Sequence, residues 1–355
     1  MTGKTGVTRR RRVVTAAFAA VFIMIMLMAG CTASDERQAT SADGQLKVYF
    51  LDVGQADSTL LVSGDKAMLV DAGNRDDADF IIGYLQKLGI SKLDYIVFTH
   101  PHEDHIGSGK AVVEAVDVGK VFMMDGYDQG ISLKLKKAVE AEGIETQAPQ
   151  PGDTVSFGDC RIDFLGPEKD YKDVNDDSIC LKVTHGSSRF LFTGDAGTTP
   201  EHDMIDAGED LETEVLQAGH HGSSTSNSYY LLRESNPKYA VISCGKDNMY
   251  GHPHKETMSR FSDLGAEVFR TDQQGTVIAT DDGSSITFNC DSTKPSREHT
   301  DEHEKAQYIG NINSKKYHRT DCGGLPEEQN RVYFSSIEGA EKAGYDPCGR
   351  CHPDR

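Results

Sequence analysis

A layered α/β domain is expected over residues 46–290, and three features of the sequence predict it. Short apolar runs of strand length alternate with stretches whose apolar residues recur at helical spacing. Several runs are joined by tight polar turns, as in hairpins. Histidines and aspartates gather directly after apolar runs, where strands end and ligand-bearing loops begin.

Taken in order, LKVYFLDV alternates in polarity and closes on turn residues, so it reads as a first strand. STLLVS and AMLVDAG follow as a hairpin turning at Gly64 and Asp65. Phe80, Ile81, Tyr84, Leu85 and Leu88 line one helix face, which Gly89 ends. LDYIVFT is then a mostly buried strand, with FTHPHEDHIG at its end. The second half repeats the theme: CRIDFLGP is a strand and SICLKVTHGSSRFLFTGD a hairpin turning at Gly186 to Ser188. TEVLQAGHHG and YAVISCG are two more strands, and a helix runs near His254 to Leu264.

The amino terminus lies outside that domain. Lys4 and Arg9 to Arg12 form a positive region, Val13 to Leu27 an apolar one, and Met28-Ala29-Gly30 a small-residue site before Cys31. This is the pattern of an export signal, and its Ala-Gly-Cys ending resembles a bacterial lipobox, with Met28 where leucine is usual. The resemblance implies a signal peptide and lipobox over residues 1–31, cleaved just before Cys31, which becomes the lipidated first residue and anchors the chain to the membrane outside the cytoplasm. The alternative is an uncleaved anchor helix, for which the apolar run is shorter than the ~20 residues of a bilayer span. Residues 32–45 are polar, lack periodicity and read as a tether.

Charge restricts the partners. Without the five bases of the leader the chain carries 32 Lys and Arg against 56 Asp and Glu, a net charge of −24. Such a chain repels polyanions at long range. Residues 308–355 hold seven bases and seven acids, so affinity for nucleic acid has to come from metals, local patches or this tail.

In FTHPHEDHIG, His100 and His102 stand two apart on an extended loop, so both rings reach one cation, while Asp104 and His105 face a second. Imidazole and carboxylate together suit Zn²⁺, Mn²⁺ or Fe²⁺. Two close cations need a bridging carboxylate, and Asp195 at the end of RFLFTGD is the candidate. Either His220 or His221 of AGHHGS supplies a last ligand.

These residues resemble the metallo-β-lactamase superfamily, which implies a four-layered αβ/βα sandwich with two metals at one edge. By position, Asp71 of LVDAG matches the acid that orients a metal ligand from behind, and Asn175 of NDDS stands where the superfamily usually has a further histidine. His185, the nearest histidine to that place, falls in a hairpin turn. FLDVGQADSTLL, NDDSICLKV, FLFTGDA, LQAGHHGSSTS and GHPHKE together resemble the ComEC-type competence domain, with Ala56 where glycine is usual. That family implies a nuclease acting on incoming DNA, with two divalent metals (Zn or Mn) and, here, a DNA-uptake channel protein as a separate partner. Asp104, Asp195, His220, His252 and His254 are then the catalytic candidates, with His252 or His254 at a phosphate or leaving oxygen. Asp52, Gln55 and Asp57 match that family's first motif, where fixing a loop and serving the site are equal alternatives. Two other readings stand beside DNA hydrolysis: a phosphodiesterase on small or surface-polymer esters such as phosphorylcholine, and a non-catalytic surface protein that captures DNA.

Residues 291–307 are polar and read as a linker with few contacts to either side. Beyond it, His318, Cys322, Cys348 and Cys351 are spaced His-x-x-x-Cys and, after 25 residues, Cys-x-x-Cys. That set suits one tetrahedral structural zinc, with a disulfide as the rival in an exported chain. The segment 308–355 also resembles the metal-binding module of Ada-type DNA alkylation-repair proteins. His318 stands where those have the methyl-accepting cysteine, which implies a structural or DNA-contacting module. Cys160, Cys180, Cys244 and Cys290 read as buried thiols.

Overall fold

The computed structural model describes residues 44–125, 128–293, 307–320, 322–326, 330–334 and 336–353. The leader, Cys31, most of the tether and most of the linker lie outside the described residues. No described helix is long and apolar enough to cross a membrane.

The chain first lays down β1 (Leu46–Phe50), β2 (Thr59–Ser63), β3 (Lys66–Val70), β4 (Lys92–Val97), β5 (Asp117–Phe122) and β6 (Glu145–Gln147). A second sheet follows with β7 (Thr154–Phe157), β8 (Cys160–Gly166), β9 (Cys180–His185), β10 (Ser188–Phe192), β11 (Val215–Gln217), β12 (Tyr239–Ile242) and β13 (Glu267–Arg270). The chain then returns to the first sheet as β14 (Val277–Asp281) and β15 (Ile286–Phe288). The sheet orders are β15-β14-β1-β2-β3-β4-β5-β6 and β13-β12-β11-β10-β9-β8-β7. In each, hairpins build an antiparallel half, and helix crossovers build a parallel half from β3 to β6 and from β10 to β13.

Both hairpins turn where the sequence places them, at Gly64–Asp65 and Gly186–Ser187. The amphipathic stretch after Asp77 is the helix Ala78–Lys87, and that near His254 is Lys255–Leu264, ended by left-handed Gly265. Elements with weaker periodicity form as well, among them β5 to β7 and the helix Gly130–Ala141.

The inner faces of the two sheets share one core, in which Phe50 lies against Phe192 and Phe122 against Phe164. Ile81, Val112 and Leu135 cover the outer face of the first sheet from three helices. Met204, Leu231 and Phe261 cover the second from three more, the helices Thr198–Ala207, Tyr229–Ser235 and Lys255–Leu264. The result is the expected αβ/βα sandwich. It sets the carboxyl ends of β3, β4, β10, β11 and β12 beside one another, and every candidate ligand follows one of those ends or the β1–β2 turn.

The tail forms its own sheet, β18-β16-β17-β19, from β16 (Tyr308–Asn311), β17 (Lys316–Arg319), β18 (Arg331–Phe334) and β19 (Asp346–Pro347). Its buried apolar cluster is small, centred on Tyr317, Ala340 and Tyr345. The module rests on the helix Tyr229–Ser235. The Tyr230 hydroxyl lies 3.1 Å from that of Tyr345 and donates to Ile312 O. Arg233 donates to Asn313, and the Lys315 ammonium sits 3.4 Å above the Tyr230 ring. Turn residues of the module, polar in sequence, find partners only once the tertiary surface exists.

Candidate metal centre

The centre is built outward from Asp71. At the end of β3 its carboxylate accepts from Thr99 N at 2.8 Å and from Thr99 Oγ1 at 2.7 Å, which fixes the loop leaving β4. Its Oδ2 also lies 2.8 Å from His105 Nδ1. With that nitrogen donating to Asp71, His105 presents Nε2 as a lone pair inward. Asp71 thus meets His105 on the nitrogen opposite the one that faces Asp195. Gly107, which closes the motif, has no room for a side chain: a Cβ there would stand 2.4 Å from Arg75 N.

Asp195 lies at the middle, 2% exposed. Its Oδ1 is 3.2 Å from His105 Nε2, while its Oδ2 is 3.7 Å from His100 Nε2 and 3.5 Å from His220 Nε2. His102 Nδ1 lies 3.2 Å from His100 Nε2. On the other side His221 Nε2 is 3.4 Å from Asp104 Oδ2, with its Nδ1 donating to Ser243 O. His220 and His221 both take left-handed backbone angles, φ 53° and 54°, a turn that brings two consecutive rings to one centre. The sequence left one of them to be chosen, and the structure brings both to the centre, His220 beside Asp195 Oδ2 and His221 beside Asp104.

Two ligands each ~2.1 Å from a shared cation at a tetrahedral angle stand roughly 3.4 Å apart, as these pairs do. His105 Nε2, His221 Nε2 and Asp195 Oδ1 are buried and make no well-directed hydrogen bond, only the close approaches to each other and to Asp104 given above. An orphaned buried polar atom costs about 1–3 kcal/mol, and three converging on one point fit a cation. Asp57, His105, Asp195 and His221 form one group of mutually close ligand atoms, and His100, His102 and Asp195 another.

Burial and neighbouring charge set the protonation of the metal-free centre. Burial works to raise the Asp195 carboxyl, but His105 and His221 hold it well below the usual carboxylate range. Burial would depress His221, yet Asp57 and Asp195 push it up to about 9; His105 is likewise raised well above its ordinary value. His100 is lowered by burial and by His105, so it is already neutral. Metals need the neutral imidazoles. Metal uptake near neutral pH is therefore expected to release protons and to tighten as pH rises toward 9, measured by calorimetry in buffers of differing ionisation enthalpy. Uptake without proton release would contradict this arrangement.

Several supporting residues escape sequence reasoning or are left open by it. Asp57, left open, joins the group of His105 and His221, with Oδ1 accepting from Gln217 Nε2 at 2.9 Å. Its only sequence signal is the motif DVGQAD. In NDDS the residue that touches the ligands is Ser178 rather than Asn175: its Oγ accepts from Asp195 N and lies 3.3 Å from His100 Nδ1. Asn175 instead turns that loop through its backbone carbonyl, which accepts from Ser178 N. His185 ends β9 at the far side and pairs with Asp281 at 2.6 Å. Buried Glu201 accepts from Asn227 N and Ser228 N, and the Asn227 amide clamps both backbone groups of Gly219, just before the histidine pair.

His252 and His254 differ. The His252 ring lies 5.6 Å from that of His220, and its Nδ1 lies 3.3 Å from Gln55 Nε2. Burial, then His221, lowers it to about 4, so it is neutral. His254 has both ring nitrogens engaged, Nδ1 by Ser224 N and Nε2 by Tyr250 O. Of the two histidines left open for a phosphate or leaving oxygen, His254 thus joins two loops, whereas His252 lies beside His220.

In the tail His318 Nδ1 lies 3.4 Å from Cys322 Sγ, and the four expected ligands are mutually close. Arg319 N and Arg350 N donate to Cys351 and Cys348 sulfurs. The seven described cysteines are free, and three of them, Cys322, Cys348 and Cys351, converge with His318. Ligands ~2.0–2.3 Å from one zinc stand roughly 3.5–3.8 Å apart, so the set fits.

The Metallo-beta-lactamase superfamily pattern matches residues 51–246, and the metal binding domain of Ada matches residues 298–354. ComE operon protein 3 of Bacillus subtilis is 28% identical over 257 residues, 67% of this chain and 33% of that protein. Competence protein ComA of Neisseria gonorrhoeae is 29% identical over 254 residues, 71% of this chain and 34% of that protein. Recombination protein 2 of Haemophilus influenzae is 30% identical over 240 residues, 65% and 28% respectively. The chain thus spans about a third of the length of these relatives. Among solved structures, the metallo-beta-lactamase fold protein YhfI from Bacillus subtilis aligns with TM-score 0.49 and 17% identity, over 67% of this chain and all of that one.

Proposed function

The chain belongs to the metallo-beta-lactamase superfamily, and from that premise we propose that it is an exported, lipid-anchored phosphodiesterase that hydrolyses DNA with two divalent cations. The observation that carries the hydrolytic part is Asp195, whose two oxygens face separate histidine sets. His100, His102 and His220 with Asp195 would hold one cation, and Asp104, His105 and His221 with Asp195 would hold the other, with Asp57 beside them. His220 thereby replaces the histidine that the NDDS loop lacks. DNA as substrate rests on the similarity to competence proteins and on the Ada-like module.

When bound, such a cation pair lowers the pKa of water and offsets charge building on the phosphoryl oxygens. The chain supplies the rest. Asp71, Ser178 and Ser243 hold the ligand rings in one orientation. Gln55 Oε1 accepts from Gly245 N, so its amide must donate to His252 Nδ1, leaving Nε2–H of a neutral imidazole to donate to a phosphoryl oxygen. The net charge of −24 favours a second reading, a small or surface-polymer ester such as phosphorylcholine.

Metal-loaded mature protein offered plasmid, single-stranded DNA, bis-p-nitrophenyl phosphate and a chromogenic cephalosporin separates these readings. Cleavage of both DNA and the small diester is expected. Hydrolysis of the diester with no cleavage of DNA would remove the nuclease reading, and DNA binding without any turnover would leave a capture protein.

A further inference from the structure

Among the described residues, the two most exposed large apolar side chains are neighbours: Met249 is 89% and Tyr250 60% exposed. Together with Gln55, Asn74, Glu103, Asp104 and Asn248 they line a cavity of about 390 Å³. Asp104 brings this cavity to the metal centre, since its carboxylate lies 3.4 Å from His221 Nε2.

The loop is held in place. Asn248 Nδ2 donates to Gly245 O and His252 O, and its Oδ1 accepts from His252 N. Tyr250 O accepts from His254, and the Tyr250 ring lies nearly parallel to His252, 5.7 Å away at 24°. An aromatic side chain fixed at the mouth of a hydrolytic centre, with most of its surface in water, is a preorganised stacking face.

The cavity walls carry two carboxylates and neither lysine nor arginine, so they disfavour a second phosphate. Glu103 is paired with Arg75 at 3.0 Å and Asp104 faces His221 at 3.4 Å, so both carboxylates are matched and little charge is left to hold a quaternary ammonium. A flat, neutral ring suits an aromatic, a thioether and amides. Resting on the phosphodiesterase reading, we propose that this cavity seats the nucleobase next to the scissile phosphate, stacked on Tyr250, so that the enzyme prefers single strands whose bases are already unstacked.

The test uses the full chain loaded with Mn²⁺ and two activated esters that share a leaving group, thymidine 5′-p-nitrophenyl phosphate and methyl p-nitrophenyl phosphate. The thymidine ester is expected to have a kcat/KM about tenfold higher, the scale of one stacked base. Tyr250→Ala should collapse that ratio to about 1, and Tyr250→Phe should keep it. An oligonucleotide with one abasic site should be cut least beside the missing base. Equal wild-type rates on the two esters, an unchanged ratio in Tyr250→Ala, or a preference for p-nitrophenyl phosphorylcholine would overturn the base seat. Loss of both activities in equal proportion would make Tyr250 a support for His252 instead. If neither ester is hydrolysed, the phosphodiesterase reading itself fails and the base seat falls with it.

Discussion

Asp195→Asn is expected to lower kcat/KM on every phosphodiester by a factor on the order of 10³ or more, while the protein stays folded. The side chains are nearly isosteric, and the backbone N–H of Asp195 keeps its acceptor, Ser178 Oγ. What changes is the bridge. An amide nitrogen has no lone pair for a cation, so whichever way it turns, one histidine set loses its shared oxygen. The orphaned nitrogens of His105 and His221 then lack a centre to converge on. Metal analysis should show at least one ion fewer per chain, with unchanged circular dichroism. Full activity in this variant would mean that the two sets do not share Asp195.

Cys348→Ser is expected to remove the tail's zinc and unfold residues 308–353 as a unit. The module's apolar cluster contains Tyr317, Ala340 and Tyr345 and little else fully buried, which is too small to hold a fold of this length. In zinc-finger peptides metal binding contributes on the order of 10–16 kcal/mol of apparent folding free energy. Proteolysis should therefore begin beyond residue 307 in the variant and not in the wild type. The large domain feels a smaller effect. It loses the contacts of Tyr230 and Arg233, each worth about 0.5–1.5 kcal/mol, on a helix that continues directly from the Asn227 clamp on Gly219. Hydrolysis of a small diester should fall by no more than about threefold, because the clamp also depends on Glu201, which does not touch the module. A larger loss confined to DNA would assign substrate capture to the tail. Abolished activity on all substrates would contradict the independence of the two sites.

How far the sequence carries the account depends on distance along the chain. His100, His102, Asp104 and His105 lie within six consecutive residues, so their spacing alone places them together. Asp195 is legible because it ends an apolar strand, and strand ends share one edge in a layered sheet. Asp57, Ser178 and Gln217 are not legible in that way. Each acts through a partner remote in sequence, as Gln217 does on Asp57 across 160 positions. His220 and His221 are intermediate: their adjacency is visible, but their left-handed turn, which lets both serve, depends on Asn227. The docking of the tail on Tyr230 has no sequence signature, because both surfaces carry ordinary polar turns and tyrosines.

The central claim, a shared two-cation centre in residues 46–290 beside a separate zinc module, is tested most directly by elemental analysis of the purified mature chain and its Cys348→Ser variant. The account expects three metal ions per wild-type chain, one of them zinc, and two per variant chain. One ion or none left in the variant would contradict it.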